Sequence, residues 1–292
     1  MIDFTKVALF GQQEDIWRSN PLLRDSFTTI VNSDGVVREQ RAFYRGQTVC
    51  IKPNGYVEIF GSLHKFHTGS TNATDFDAAA VALSVQELGE ALRFEPSAAH
   101  LRNIEFGINQ VLPVSAKSLL KRAVLFQNRN FTTRRTFREK GHQIEAELQR
   151  YTFKAYDKAA QLQSAGTPCD GHLLRSEVRV TKMIHLAPMK LATLADLARP
   201  RSLAPLGNLL VKAWDNVLFH GPASKHEIPK ARRELLLNGQ NVDYWENLSQ
   251  DNFRKQRGQF RQWSDEHCTD SLPNAVRANM VETWARLLIG EA

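Results

Sequence analysis

The run Arg150–Lys158 alternates in composition with the period of a β-strand. Because successive side chains of a strand point to opposite faces, Thr152, Lys154 and Tyr156 are expected to share one face. Tyr151 belongs to the other face, so we do not expect the two tyrosines to act together. After Tyr156 the composition becomes helical, which predicts that this tyrosine lies at the junction of a strand and a helix, exposed at a sheet edge.

A second run, Leu173–Val180, places Arg175, Glu177 and Arg179 on one face in the same way. Two such strands side by side would bring a phenol, a carboxylate and several cations together. A phenol that attacks a phosphodiester must lose its proton, and cations must neutralise the phosphate and the leaving oxygen. A carboxylate could also hold Mg²⁺ or Mn²⁺. An amphipathic strand with a surface ladder of ion pairs explains the same residues without any chemistry.

Turn signals elsewhere predict antiparallel hairpins. Asn32–Gly35 separates two pairs of apolar residues, and Lys52–Gly55 contains an Asn-Gly pair between two alternating runs. Apolar residues recur at helical spacing in residues 75–92, and residues 114–126 also read as an amphipathic helix. A further strand, Leu101–Asn109, is expected to have one apolar and one polar face.

Beyond about residue 190 the pattern is helical. We therefore predict an α+β protein, with a mostly antiparallel central sheet flanked by helices and a helical C-terminal region. Residues 1–190 would form one domain, and residues 191–292 a helical region that binds DNA or a partner. Within that region we expect Phe260 and Trp263 to lie in a core.

The charge distribution favours a polyanionic partner. The net charge is +7, and the segment Lys117–Lys140 alone contains eight basic residues and one acidic residue. Its Arg134, Arg135 and Arg138 are candidate DNA contacts, although a solvated loop would have the same composition.

The segment Gly61–Phe76 is polar and contains His64, Lys65 and His67. His64 and Lys65 could approach a phosphate. The two histidines are spaced His-x-x-His and no further ligands are evident, so a zinc site is not expected.

The three cysteines have no metal-type spacing and fit a reducing compartment. Neither a signal peptide nor a membrane-spanning stretch is evident, so we expect no membrane association and a cytoplasmic location.

Taken in order, several of these segments resemble the gene-two-type replication initiators of filamentous phages and their prophage and plasmid relatives. The segments that carry the resemblance are Met1–Asp3, Val57–Ile59, Gly61–Phe66 with Gly69, Asn72, Asp75 and Phe76, Asn103–Asn109, Phe153–Lys158, and Leu174–Arg179. No one of them is decisive, but together they span roughly residues 1–190.

The resemblance implies that Tyr156 is a covalent nucleophile and that Glu105 and Glu177, with Glu58 as a further candidate, bind Mg²⁺ or Mn²⁺. The family strand often carries aspartate where this chain has Glu105, which would shift the metal. Three cations would hold the scissile phosphate, and further residues would contact DNA. The phosphate-binding candidates are Lys154, Lys158 and Arg175, and the DNA-binding candidates are His64, Lys65, Arg134, Arg135, Arg138 and Arg179.

The implied activity is rolling-circle replication initiation, in which the enzyme nicks and rejoins one strand of an origin through a 5′-phosphotyrosine. Its partners would be double- and single-stranded origin DNA, a host helicase and a host polymerase. Two alternatives stay open: a plasmid or conjugative nickase of relaxase type, and a regulator that binds DNA without cutting it.

Overall fold

The computed structural model describes residues 1–12, 14–69, 71–135, 141–221, 228–267 and 271–290, except the side chains of residues 133–135. The strands are β1 (Ile2–Leu9), β2 (Thr28–Val31), β3 (Val37–Tyr44), β4 (Gln47–Ile51), β5 (Val57–Ser62), β6 (His100–Leu112), β7 (Ala123–Phe126), β8 (Thr133–Arg135), β9 (Gln143–Glu147), β10 (Tyr151–Asp157), β11 (His172–Val180) and β12 (Val217–Phe219). The helices are α1 (Glu14–Arg18), α2 (Leu63–Thr68), α3 (Ala78–Leu92), α4 (Ala116–Leu120), α5 (Lys158–Ser164), α6 (Leu194–Leu197), α7 (Pro200–Asp215), α8 (Lys230–Asn238), α9 (Val242–Glu246), α10 (Gln250–His267) and α11 (Leu272–Ile289). Two short 3₁₀ helices cover Arg24–Ser26 and Met183–Met189.

The architecture is α+β, as predicted. Within the described residues, ten strands form one sheet in the order β2-β3-β4-β5-β1-β6-β11-β10-β9-β8, and all of its pairings are antiparallel. Strands β7 and β12 form a separate two-stranded ribbon. Helices α7 to α11 make the C-terminal region mainly helical, and the strand β12 also belongs to it.

The two predicted hairpins and the helix predicted over residues 75–92 are present, and local hydrogen bonds and backbone conformations stabilise their turns and ends. The Asn32 side chain accepts hydrogen bonds from the amides of Asp34 and Val36 and thereby closes the β2–β3 turn. Gly55 adopts a φ of 73° in the β4–β5 turn, a conformation that favours glycine. Asp77 caps α3 by accepting a hydrogen bond from the Ala80 amide, at 2.7 Å.

The helix expected over residues 114–126 is wrong in its second half. Helix α4 ends at Leu120, and the following run Ala123–Phe126 is a strand that pairs with β12. All four residues of that strand are buried. Such a continuous apolar run has no helical period, and pairing with β12 decides its conformation.

Helices α7 and α11 cover one face of the sheet. The ring of Trp284 in α11 lies 6.1 Å from that of Phe106 in β6, and its indole nitrogen donates to the carbonyl of Leu203 in α7. A Cβ atom at Gly207 of α7 would collide with the Trp284 ring, so glycine permits this close packing.

A second cluster joins the β7–β12 ribbon to the helices α8 to α10. Phe260 is fully buried there against Trp245, as expected of a core residue, whereas Trp263 packs at the margin of the cluster. None of the described helices is long and apolar enough to cross a lipid bilayer.

Candidate active site

A β-bulge brings Asp3 to the polar face of the sheet. Ile2 pairs with Phe106 and Phe4 pairs with Glu105, so an advance of two residues along β1 corresponds to an advance of one residue along β6. Asp3 is the extra residue. Bulges of this kind re-aim a side chain, and here the Asp3 carboxylate meets groups of the face that carries Glu105.

The register of β10 and β11 assembles the two predicted sets of polar residues. Lys154 lies opposite Glu177, and Tyr156 lies opposite Arg175. On its other side Glu177 pairs with Gly107 of β6. A Cβ atom there would lie 2.9 Å from the Glu177 Cγ and closer still to the Ser176 carbonyl oxygen, so the glutamate fills the space beside this glycine.

Three carboxylates converge at this point. Oxygen atoms of Asp3, Glu105 and Glu177 all lie within 4.8 Å of one another. Carboxylate oxygens are the ligands that Mg²⁺ and Mn²⁺ prefer, so the donor set fits the predicted metal. Two of the three were expected as ligands.

The guanidinium of Arg175 holds this cluster together. It donates to Glu177 Oε1 through Nε, to Asn109 Oδ1 at 3.0 Å through Nη1, and to Asp3 Oδ2 at 3.0 Å through Nη2. Burial disfavours its charge, but Glu177, Tyr156 and Asp3 together raise the pKa of Arg175 above its ordinary value. With these three side-chain partners, Arg175 organises the acids, and its contact with a phosphate stays a prediction.

Burial by itself raises the pKa of Asp3, but Arg175 and hydrogen bonds from Ser62 and Asn72 outweigh it and lower the pKa below its usual range. Both hydrogen bonds are 2.6 Å long. Burial, and then repulsion from Glu177, raises the pKa of Glu105 to about 7. The Lys154 ammonium, 3.5 Å from Glu105, opposes this rise.

Tyr156 donates a hydrogen bond of 3.0 Å to Glu177 Oε1. Its strand β10 lies between β9 and β11, so the expectation that this tyrosine is exposed at a sheet edge is wrong. The residue is only 6% exposed, because α5 begins at the next residue but one and turns over the sheet. Burial and the neighbouring Glu177 raise the pKa of the phenol well above 10.

Lys158 lies at the start of α5 and is buried beside the cluster. Its ammonium donates to Asn72 Oδ1 at 2.5 Å and to Gln161 Oε1 at 2.9 Å. Burial, and then repulsion from Arg175, lowers the pKa of Lys158 to about 8. Exposed Lys65 adds to this repulsion, which indicates that it lies near the site.

Two predicted residues do not join the cluster. Glu58 lies four residues before Ser62 on β5, about 13 Å along the strand, and pairs with Lys6 at 2.8 Å and with the Tyr56 hydroxyl. His64 is buried, with its ring 4.7 Å from that of Phe76. Burial lowers the pKa of His64 to about 3 and keeps the ring neutral, so it does not supply the surface phosphate contact that we expected.

Of the expected arginine contacts, Arg179 is half-buried and lies over the ring of Phe4, with 5.3 Å between its Cζ and the ring centre. Arg134 and Arg135 belong to β8 by their backbone. Arg138 lies outside the described residues.

Sequence reasoning assigned no role to Asp3, Ser62, Asn72 or Asn109. A signal existed for all four, because each belongs to a segment that carried the resemblance, and Asn109 also shares the polar face of β6 with Glu105. The contact of Ser62 with Asp3 itself depends on the pairing of β5 with β1.

No protein-family model matches the chain, and no curated protein matches it. Among solved structures, it is similar to a rolling circle replication initiator protein from Geobacillus stearothermophilus. The two share 13% sequence identity with a TM-score of 0.45, and the match covers 83% of this chain and 97% of that chain. At this level of similarity, the geometry of the site is the guide to what the protein does.

Proposed function

We propose that this protein is a metal-dependent DNA nicking and rejoining enzyme in which Tyr156 is the nucleophile. The observation that carries the proposal is the 3.0 Å hydrogen bond from the Tyr156 hydroxyl to Glu177, inside a cluster of three carboxylates. A phenol next to a proton acceptor and a metal-binding set has what phosphodiester attack requires.

Asp3, Glu105 and Glu177 would hold the Mg²⁺ or Mn²⁺ ion. When bound, the ion supplies Lewis-acid stabilisation of the charge that develops on the phosphate. Arg175 would hold two of the acids in place relative to each other, since it contacts Asp3 and Glu177 at the same time.

Glu177 would accept the phenol proton as the Tyr156 oxygen forms a bond to phosphorus. The bond between phosphorus and the 3′ oxygen breaks, and the leaving oxygen takes a proton. Lys158, whose pKa is lowered to about 8, is suited to give that proton near neutral pH. The products are a 5′-phosphotyrosine and a free 3′ hydroxyl.

A scissile phosphate would reach Tyr156 from the side of Lys154 and Glu105. Their side chains are 22% and 13% exposed, whereas Tyr156 itself is 6% exposed. The Lys154 ammonium would meet the phosphate first. Its position opposite Glu177 in the β10–β11 register gives it reach into the cluster.

We further propose that the nick serves rolling-circle replication, as the resemblance to the phage initiators implies. A host polymerase would extend the 3′ hydroxyl, and a host helicase would unwind the double-stranded origin. A later attack of a DNA 3′ hydroxyl on the phosphotyrosine would reseal the displaced strand. The ester retains the bond energy, so no nucleotide cofactor is needed.

One observation favours the second candidate, a regulator that binds DNA without cutting it. The phenol is buried and its pKa is raised well above 10, which makes it a poor nucleophile unless a metal or bound DNA changes its surroundings. A plasmid or conjugative nickase would use the same chemistry on another replicon.

The test is incubation of the protein with labelled single-stranded and supercoiled DNA of its own replicon, with Mg²⁺, Mn²⁺ or EDTA. We expect a nicked product and a protein-linked 5′ label with metal only. Tyr156→Phe should abolish both. Tyr151→Phe is the matched control, because Tyr151 lies on the same strand but faces His185, with its ring 5.0 Å from that imidazole.

Loss of the adduct in Tyr151→Phe but not in Tyr156→Phe would mean that the nucleophile is misassigned. DNA binding without any cleavage by the unchanged protein would replace the enzyme with the regulator.

A further inference from the structure

A row of aromatic and basic side chains extends from the carboxylate cluster along β1. Phe4 pairs with Glu105 in register, and Lys6 follows two residues later on the same face. Phe10, just beyond the end of β1, is 53% exposed. From Phe4 to Phe10 the row is about 20 Å long. Helices α7 and α11 pack on the opposite face, against Phe106, and the side chains of Phe4, Lys6 and Phe60 on this face are partly exposed.

Cations lie over the rings of this row. The Arg179 Cζ lies 5.3 Å from the ring centre of Phe4, and the Lys6 Nζ lies 5.7 Å from that of Phe60 on β5. At the far end the Arg102 Cζ lies 5.5 Å from the ring centre of Phe10. Ring and cation therefore recur together at three successive places.

The Phe10 end opens into a cavity of about 620 Å³ whose lining includes His100, Arg102, Ile184 and Lys190. The Phe10 ring centre is 5.8 Å from that of His100. A cavity of this size is within the range that accepts a small organic molecule. Beside apolar side chains, its lining has two flat rings, Phe10 and His100, and two cations, Arg102 and Lys190, which suit a base with its phosphate.

We propose that this row, defined as Phe4, Lys6, Phe10, Phe60, Arg102 and Arg179, binds single-stranded DNA leading to or from the carboxylate cluster. Single strands are bound without sequence preference by grooves in which bases stack on aromatic rings and cations follow the backbone. An acidic partner protein would need the cations but not the rings beneath them. Because the row ends at Glu105, the inference rests on the proposed nicking function.

The test measures binding of a 5′-fluorescent oligothymidylate of about 20 nucleotides by anisotropy, with EDTA present so that no cleavage occurs. Phe10→Ala should weaken binding by at least about fivefold, and Phe10→Trp should retain it. Arg102→Gln should lower the slope of log K against log salt by about 0.7, the value for one phosphate contact on a single strand.

Phe43→Ala is the matched control. Phe43 is equally exposed, at 55%, but lies on β3, which β4 and β5 separate from β1. It should leave the affinity unchanged. Equal losses in Phe10→Ala and Phe43→Ala, or no loss in Phe10→Ala, would overturn the proposal. Melting curves of each variant exclude a loss that arises from unfolding.

The two proposals fail separately. If Phe10→Ala loses affinity for DNA while the unchanged protein never forms a covalent adduct, DNA binding by the row is supported and the nicking function is refuted. If the unchanged protein nicks DNA and Phe10→Ala binds and nicks DNA normally, the nicking function is supported and DNA binding by the row is refuted.

Discussion

Arg175 pairs with two of the three acids in the site, Asp3 and Glu177. It is almost fully buried and contacts Asp3, Glu177 and Asn109, so its removal would leave two acids without their cation. Buried ion pairs give little net stability, but breaking one by removing a partner is costly because a buried charge loses its compensation.

Arg175→Gln should therefore lower the free energy of unfolding by about 3–5 kcal/mol, measured by urea denaturation in EDTA. Millimolar Mn²⁺ should recover part of that loss, because the ion binds the folded carboxylates. Arg18→Gln, which breaks the exposed pair with Glu14, should cost no more than about 0.5 kcal/mol. Similar costs in the two variants would contradict the role given to Arg175.

Glu105 is the acid whose protonation should control metal affinity. Its pKa is raised to about 7, so it is largely protonated at pH 6 and ionised at pH 8. A metal ion competes with that proton, so Mn²⁺ affinity should rise about tenfold from pH 6 to pH 8. Calorimetric titration at the two values measures the change.

Glu105→Gln provides the control for this pH dependence. This variant should bind Mn²⁺ more weakly and should lose most of the increase in affinity between pH 6 and pH 8. Any increase that remains reports on Lys158, whose pKa of about 8 lies at the upper end of that pH range. An unchanged rise in Glu105→Gln would assign the titration to another group.

At the scale of elements, the site depends on two irregular features of otherwise regular strands. The bulge in β1 turns Asp3 toward Glu105 and Glu177, and Gly107 in β6 leaves the space that the Glu177 side chain occupies. Both features act through strand pairing, because β6 pairs with β1, which carries Asp3, and with β11, which carries Glu177.

Gly107→Ala should lower the free energy of unfolding by about 1–3 kcal/mol and should weaken Mn²⁺ binding, because the new methyl group displaces Glu177. Gly258→Ala is the control in the exposed part of α10, where a Cβ atom meets nothing within 4 Å. That change should stabilise the protein by up to about 1 kcal/mol. Chemical denaturation and calorimetry of both variants test the pair of expectations, and normal metal binding by Gly107→Ala would contradict them.

At the scale of the whole molecule, two of the C-terminal helices, α7 and α11, share the main core with the sheet. Leu206 and Leu210 of α7 and Met280 and Trp284 of α11 are buried in the same cluster as Phe106. The β7–β12 ribbon also joins residues before 190 to residues after it. Residues on either side of position 190 are therefore packed together, and a separate role for the region beyond it stays a prediction.

A fragment of residues 1–190 should consequently fail to fold cooperatively, because it would expose the sheet face that α7 and α11 cover. We expect a broad, weakly cooperative denaturation curve and rapid proteolysis, compared with the full chain. A fragment that unfolds in one sharp transition and binds Mn²⁺ with the affinity of the full chain would show that the first 190 residues form an independent domain.

The sequence by itself determined the local elements and the faces of the strands. Alternation placed Tyr156 with Lys154 and placed Arg175 with Glu177, and turn residues identified two hairpins, because both signals depend on residues close together in the chain. The register of β10 on β11 then brought these predicted sets together.

Only the tertiary structure decided how many acids meet, and how deeply the phenol is buried. Asp3 joins the site through a bulge defined by β6, and Tyr156 is buried because β9 extends the sheet beyond β10 and α5 turns over it. The wrong prediction of a helix over residues 114–126 has the same kind of cause. The second half of that segment is a strand because it pairs with β12, more than ninety residues later in the chain. Strand order and packing join residues distant in the chain, and no local period records which partner a strand will find.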